Sequence, residues 1–290
     1  MQDLHGKAAF ITGGGSGIGL GIAHALVDQG MSVVLADLRP DHLETALESF
    51  RVKNQARSVH PIRLDVTDRV AMAAAADETR RVFGNLHVLV NNAGVGIEGP
   101  LREATYADWD FGLGVNLGGV INGLQTFLPQ IRAHGEGGHV VNTASLAALV
   151  AMPPQLAIYV ASKAAVLALS EALRSDLAQD NIGITVLCPG PVRSNIHELA
   201  KNRPERFASN QAFRDAADQL GRRQTSPLWM DPEEVGRLIV KAIRNNELYV
   251  ITHGEWRAAV MARHAAMLAA MPEKNDPNLI ATLAPPPPKG

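Results

Sequence analysis

Thr12-Gly13-Gly14-Gly15-Ser16-Gly17-Ile18-Gly19 is the stretch that decides the fold. It follows an apolar run, Lys7 to Ile11, that reads as a strand. It leads into a helical pattern from Gly17 to Gln29, which Gly30 closes. Glycines let the chain turn tightly and let backbone N–H groups approach a phosphate, and a helix N-terminus adds favourable partial charge. The common dinucleotide pattern G-x-G-x-x-G fits in no register here. From Gly13 it fails at Ile18, and T-G-x-x-x-G-x-G fits instead. Strand, glycine loop and helix in that order make a nucleotide site the expectation.

Outward from the loop, short apolar runs alternate with helical spacing. Ser32 to Ala36, Val59 to Leu64, Leu86 to Val90, His139 to Asn142, Gly183 to Leu187 and Leu248 to Ile251 read as strands. Their continuous apolar character suits parallel strands covered on both faces. Between them, Asp41 to about Lys53, a stretch capped by Asp68 and ending near Gly84, and Ile158 to Ala178 read as helices. So do Pro232 to Arg244 and Trp256 to Ala270, while the stretch from Thr105 to about Ala133 reads as helical with a break. The alternation predicts an α/β fold: one doubly wound parallel sheet of about seven strands with helices on both faces. A single domain is expected over 1–280, with an insertion at about 191–227 covering the crevice, an extension at about 252–280, and a Pro-rich tail at 281–290.

Composition excludes several partners. The chain has 290 residues, 46% hydrophobic and 19% charged, with 27 Lys plus Arg against 29 Asp plus Glu, a net charge of −2. Nucleic acid and acidic membranes need a clustered positive field, which this balance does not offer. The one cysteine, Cys188, ends an apolar run and reads as a buried strand residue. No secretory pattern stands at the N-terminus and no apolar run approaches the roughly 20 residues of a membrane span, so a cytoplasmic location is expected. Ten histidines occur without H-x-x-x-H or H-E-x-x-H spacing, so no metal is expected.

Chemistry concentrates at the strand ends. Asp37 closes the second strand, eighteen residues past Gly19. A carboxylate there accepts hydrogen bonds from ribose hydroxyls and repels a 2′-phosphate, which favours NAD over NADP. Arg39 pulls the other way, because a guanidinium can hold a phosphate. Tyr159 and Lys163 lie four apart, on one face of a helix. A nearby ammonium favours the phenolate, so a lowered Tyr159 pKa is expected, suited to exchanging a proton with an alcohol or ketone oxygen. Ser145 follows the fifth strand and can hydrogen-bond that oxygen as charge develops. Asn91 to Gly94 and Pro189-Gly190 follow the fourth and sixth strands at the same side.

The ordered set resembles the short-chain dehydrogenase/reductase family, whose sheet is of the Rossmann type. The matching pieces are Thr12 to Gly19, Asp37, Asp65-Val66, Asn91 to Gly94, Asn116, Ser145, Tyr159, Lys163 and Pro189-Gly190, spread over about the first 195 residues. The resemblance implies Tyr159 as acid/base, Lys163 as the group that lowers its pKa and binds the nicotinamide ribose, Ser145 as the orienter of the substrate oxygen, and Asn116 as holder of a relay water. It implies cofactor contacts from Gly13, Ser16, Gly17, Ile18 and Gly19, and from Asp37 and Leu38. Asp65 and Val66 would meet the adenine, and Asn92, Ala93 and Gly94 the ribose region. Pro189, Gly190, Val192 and Ser194 would anchor the carboxamide. It also implies a homotetramer or homodimer. Ser145 to Tyr159 spans fourteen positions, one more than the family commonly shows.

The substrate is read from the segments expected to line the pocket: Val95 to Leu101, Leu146 to Leu156 and Pro191 to Leu199. They are mostly small or apolar, which suits a bulky apolar secondary alcohol. His197 reads as a loop histidine and Arg203 to Arg206 as solvated loop. Asn202 to Phe207 and Tyr249 to Trp256, with the long C-terminal extension, are similar to bacterial dehydrogenases that oxidise the benzylic alcohol of lignin-derived β-aryl ethers with NAD. Alternatives are a hydroxysteroid, polyol or small ketone as substrate, or an NAD-sensing regulator without chemistry.

Overall fold

The strand that feeds the glycine loop, β1 (Ala8–Thr12), is buried along its whole length. In the computed structural model it lies inside a seven-stranded sheet of order β3-β2-β1-β4-β5-β6-β7. The other strands are β2 (Ser32–Asp37), β3 (Val59–Arg63), β4 (Leu86–Asn91), β5 (Gly138–Thr143), β6 (Ile182–Cys188) and β7 (Tyr249–Ile251). Every neighbouring pair is parallel. The chain therefore runs outward from β1 to β3, then crosses back to β4 on the other side of β1. Reversal of strand order opens a crevice at the carboxyl ends of the strands, between β1 and β4.

The structure describes residues 1–196, 198, 203–208, 210–221, 226 and 228–273. His197, Leu199, Asn202, Pro227 and the tail 281–290, all named above, lie outside them. The chain divides into two compact units, Met1–His253 and Gly254–Gly290.

Two apolar layers cover the sheet. On one face pack α1 (Gly17–Val27), α2 (Pro40–Val52) and α8 (Pro232–Asn245), through Ile22, Leu26, Phe50, Val235 and Ile239. On the other pack α3 (Arg69–Phe83), α5 (Gly119–Ala133) and α6 (Ala157–Ala178), through Met72, Phe127 and Val166. Asp68 caps α3 by accepting from the N–H groups of Val70 at 2.9 Å and Ala71 at 3.0 Å. The closest approach is between α1 and α8. A Cβ on Gly236 would lie 2.2 Å from the Gly21 carbonyl oxygen, so the two backbones touch.

The expected break after Thr105 is a change of helix type. α4 (Tyr106–Leu113) passes into a π-helical turn, Gly114–Gly118, and then into α5. Such a wide turn re-aims one side chain, and here Asn116 is fully buried. One sequence expectation is corrected by α6. Pro154–Ala178 is long and apolar enough, by length and composition alone, to cross a membrane. In the fold its buried face, including Lys163, Val166 and Leu177, packs as a core helix. The insertion carries a short turn at Glu205–Phe207 and α7 (Gln211–Gly221). The second unit holds α9 (Arg257–Ala269), which buries no residue.

Candidate active site

The glycine loop is held from beneath by the end of β4. The Thr12 hydroxyl accepts the N–H groups of Asn92 at 2.9 Å and Ala93 at 3.0 Å. The Asn92 amide donates to the carbonyls of Thr12 and Gly13 at 3.2 and 3.3 Å. Asn92 thus braces the phosphate loop with the side chain that the family resemblance assigned to a ribose contact. Gly17 turns with φ of +51°, where a side chain would be strained. Gly19 packs under the loop, since a Cβ there would lie 2.1 Å from the Gly13 carbonyl oxygen. Gly13, Ser16, Gly17 and Ile18 face the crevice.

At the far end of the crevice Asp37 is pinned. Its carboxylate accepts the N–H of Gly15 at 3.1 Å and of Arg39 at 3.0 Å. Leu38 lines the crevice beside it. The Arg39 guanidinium is occupied: it donates to both carboxylate oxygens of Asp41 and to Glu198. Asp65 accepts from Thr67 N–H at 2.9 Å, from the Thr67 hydroxyl at 2.7 Å and from Arg206 at 2.9 Å. Burial alone would raise the Asp65 pKa, but these hydrogen bonds outweigh it and hold the carboxyl below its ordinary value. Val66 stands next to it on the crevice wall.

The reading of Arg203 to Arg206 as solvated loop holds for Glu205 and Arg206, which are exposed, and is overturned for Arg203. Arg203 donates to fully buried Asp108 at 2.7 Å and lies 5.0 Å from the Phe111 ring centroid. Asp108 also accepts from Thr105 N–H at 2.8 Å, as part of a capping box at the start of α4. A buried carboxylate needs a charged partner, and the insertion supplies it.

Tyr159 and Lys163 occupy successive turns of α6, as their spacing requires. The Tyr159 hydroxyl is hydrogen-bonded to Ser145. The Ser145 oxygen also accepts Ala147 N–H at 3.1 Å. Lys163 is 2% exposed; its Nζ lies 5.9 Å from the Tyr159 ring centroid and donates to the Thr143 carbonyl at 2.8 Å. The expected depression of the Tyr159 pKa is corrected. Burial raises it, the Ser145 hydrogen bond offsets only part of this, and burial lowers Lys163 to about 8. Lack of water penalises both charged forms. Asn116 uses its side chain as a brace. It accepts Val95 N–H at 2.8 Å and donates to the Val95 carbonyl at 3.0 Å and the Ser162 hydroxyl at 3.1 Å.

These groups border one cleft of about 1140 Å³, its open mouth included. Asn92, Ala93, Gly94, Pro189 and Ser194 line it together with Tyr159 and Lys163. Gly94 leaves no room for a side chain without pressing on the site, because a Cβ would lie 3.3 Å from Lys163 Nζ. Ser145 and Asn116 stand behind the cleft wall. Gly190 donates its N–H to the Thr252 hydroxyl at 3.0 Å, and buried Val192 bridges to Met230, so both shape the wall from outside. Leu146 to Leu156, expected to line the pocket, does not. Leu146, Ala147 and Val150 are buried within the fold instead. Phe111, Val115, Pro204 and Phe207 take that place. His42, Thr67 and Arg206 were also missed. Thr67 sits beside Asp65 and bonds it locally, whereas Arg206 reaches Asp65 from 141 positions away, a contact that leaves no spacing signal. Cys188 is buried as expected, and burial pushes its thiol up to about 12.

A second cluster of ligating groups lies at the amino ends of β4 and β5. His87, His134 and Glu136 come within metal-binding distance of one another. Their ring nitrogens already have partners: Ala8 N–H and Glu136 for His87, and the Leu86 carbonyl and Glu136 N–H for His134. The cluster ties strand starts together.

The cleft residues fit a nicotinamide dinucleotide. A glycine cradle opens at the N-terminus of α1, a pinned carboxylate stands at the end of β2, and an apolar wall follows Tyr159. Comparisons with known proteins agree. Residues 7–204 match the short chain dehydrogenase family model. A C alpha-dehydrogenase of Sphingobium sp. is 36% identical over 280 residues, covering 96% of this chain and 90% of that protein. A short chain dehydrogenase/reductase of Burkholderia phymatum, solved in complex with NAD, superposes with a TM-score of 0.86 at 35% identity, covering 95% and 99% of the two chains. The apo form of LigO from Sphingobium sp. strain SYK-6 superposes with a TM-score of 0.78 at 40% identity, covering 98% and 96%.

Proposed function

The chain belongs to the short-chain dehydrogenase family, and from that premise we propose that it oxidises the secondary benzylic alcohol of a bulky aryl substrate to a ketone, with NAD in preference to NADP. The family makes it an oxidoreductase acting with a nicotinamide dinucleotide. The observation that carries the substrate reading is the aromatic wall beside Tyr159. The Phe111 and Phe207 rings lie 5.7 Å apart at 40° and both border the cleft; Phe111 is buried beneath Arg203, so the partly exposed Phe207 ring is the one that suits a substrate aryl ring. The C alpha-dehydrogenase relative is in keeping with oxidation of an alcohol carbon.

When bound, the oxidised dinucleotide supplies the hydride acceptor for the carbinol hydrogen. Tyr159 takes the hydroxyl proton at its phenolic oxygen. Ser145 holds that phenolic oxygen and, with it, the substrate oxygen. Lys163, fixed on Thr143, provides the positive field that favours the phenolate. Asn116 keeps the β4 loop and α6 in register through Val95 and Ser162. Asp37 receives the ribose hydroxyls and disfavours a 2′-phosphate.

The test follows reduced nicotinamide by near-ultraviolet absorbance, with NAD or NADP and a panel of aryl glycerol ethers, steroids and small aliphatic alcohols. Fast NAD reduction with the aryl ethers is expected. Turnover of steroids or small alcohols alone removes the aryl reading, and turnover with NADP alone removes the NAD reading.

A further inference from the structure

We propose that Glu198 sets the preference for NAD over NADP by occupying the guanidinium that a 2′-phosphate would need. The inference rests on the NAD reading above. Arg39 is the cation adjoining Asp37, and its own N–H donates to that carboxylate at 3.0 Å. A phosphate on the ribose would lie where Asp37 repels it, and Arg39 is the neighbour able to offset that repulsion with a bidentate contact. Three of its five N–H donors are committed elsewhere. Nε and one Nη face Asp41, and the other Nη faces Glu198.

The two carboxylates are not equal partners. The Asp41 side chain is 61% exposed, so water screens its pull on Arg39. Glu198 is 25% exposed and Arg39 18%, so their pairing is shielded. Glu198 also approaches Asp37 through one intervening side chain. His42 stands between the two acids, with Nε2 3.9 Å from Glu198 and Nδ1 3.8 Å from Asp37. Counting Arg39 as +1 and Asp37, Asp41 and Glu198 as −1 each gives 1 − 3 = −2 around the ribose. A ribose with free hydroxyls adds no charge to this field, whereas a phosphate monoester adds roughly −1.5 to −2.

Glu198 belongs to the same insertion as other residues at the cleft. Ser194, Asn195 and Ile196 line the cleft before it, and Arg206 grips Asp65 and Thr67 after it. Cofactor choice is thus read partly by the insertion, and not by the β2 end alone.

The experiment measures Kd for NAD and NADP by calorimetry on the full chain, alongside kcat/KM for each. For the wild type, tighter NAD binding is expected. Glu198→Gln keeps the side-chain shape and should tighten NADP on the order of tenfold, with NAD changing less than about threefold. In an Arg39→Gln background the same change should lose most of its effect. Wild type that prefers NADP overturns the NAD reading itself. Wild type that prefers NAD, while Glu198→Gln leaves the ratio of the two Kd values unmoved, overturns this inference alone. A full tenfold gain without Arg39 also overturns it, because Glu198 would then act by simple repulsion.

Discussion

Tyr159 is a poor base in the protein without its cofactor, because burial raises its pKa and the same burial brings Lys163 down to about 8. Alcohol oxidation needs the phenolate, so kcat/KM for oxidation should rise with pH across the neutral range, and ketone reduction should fall. Lys163→Met removes the cation 5.9 Å from the Tyr159 ring. The rising limb should then move up by about one pH unit or more, with activity at pH 7 down at least tenfold. A limb that stays in place would show that Lys163 holds the cofactor without tuning the base. Tyr159→Phe separates an enzyme from a sensor. Turnover should drop roughly 10²- to 10⁴-fold while calorimetry still detects NAD binding. The residue pair was legible in the sequence because four-residue spacing is a local property of one helix. The sign of the Tyr159 shift was not, because it depends on how much water the folded cleft excludes.

At the scale of elements, apolar periodicity located the strands and helices to within a few residues, as in β4 and α3 with its Asp68 cap. It cannot report pairs formed across the chain. Arg203 and Asp108 lie 95 positions apart, and nothing near either residue announces the other. The α1–α8 crossing is of the same kind. Gly21 sits in the helix after the phosphate loop and Gly236 in a helix more than two hundred residues later, and only the fold shows their backbones in contact. Gly236→Ala places a Cβ against the Gly21 carbonyl, where no flexible side chain can yield. Overpacking of this kind costs typically 1–3 kcal/mol, and denaturant unfolding should show a loss in the upper part of that range. Gly114→Ala is the contrast. Its Cβ would meet only a Thr67 methyl, at 3.9 Å, in a helical backbone, so stability should hold or rise slightly. Equal losses in both variants would mean that the α1–α8 contact does not set the cost, since helix propensity alone favours Ala over Gly.

For the molecule as a whole, a doubly wound parallel sheet of about seven strands could be anticipated from strand–helix alternation, but its response to acid could not, since that depends on which histidines the layers enclose. His24, His87 and His139 all have lowered pKa values, each chiefly through burial. His139 is the extreme case, at about 3. It lies between β5 and β6, where its Nε2 meets the Thr185 hydroxyl at 2.8 Å. That hydroxyl donates onward to the Glu247 carbonyl, so it must accept from His139 Nε2–H. This leaves Nδ1 unprotonated, buried and without a partner. The folded state therefore keeps His139 neutral while the unfolded chain protonates near pH 6.5. Stability from this group is complete above pH 6.5 and is lost as the pH falls from there toward 3, by up to about 1.4 kcal/mol per pH unit. The carboxyl groups of Asp41, Asp65 and Glu136 are held below their ordinary values, so their contributions are lost only at lower pH. The interval from pH 6.5 to 5 thus isolates the histidines. Urea unfolding at pH 7.5 and pH 5 should show a clear loss for the wild type. His139→Gln, whose amide can still donate to Thr185, should lower stability at pH 7.5 but lose about one proton's worth of the slope. An unchanged slope in that variant would place the acid sensitivity in His24 and His87 instead.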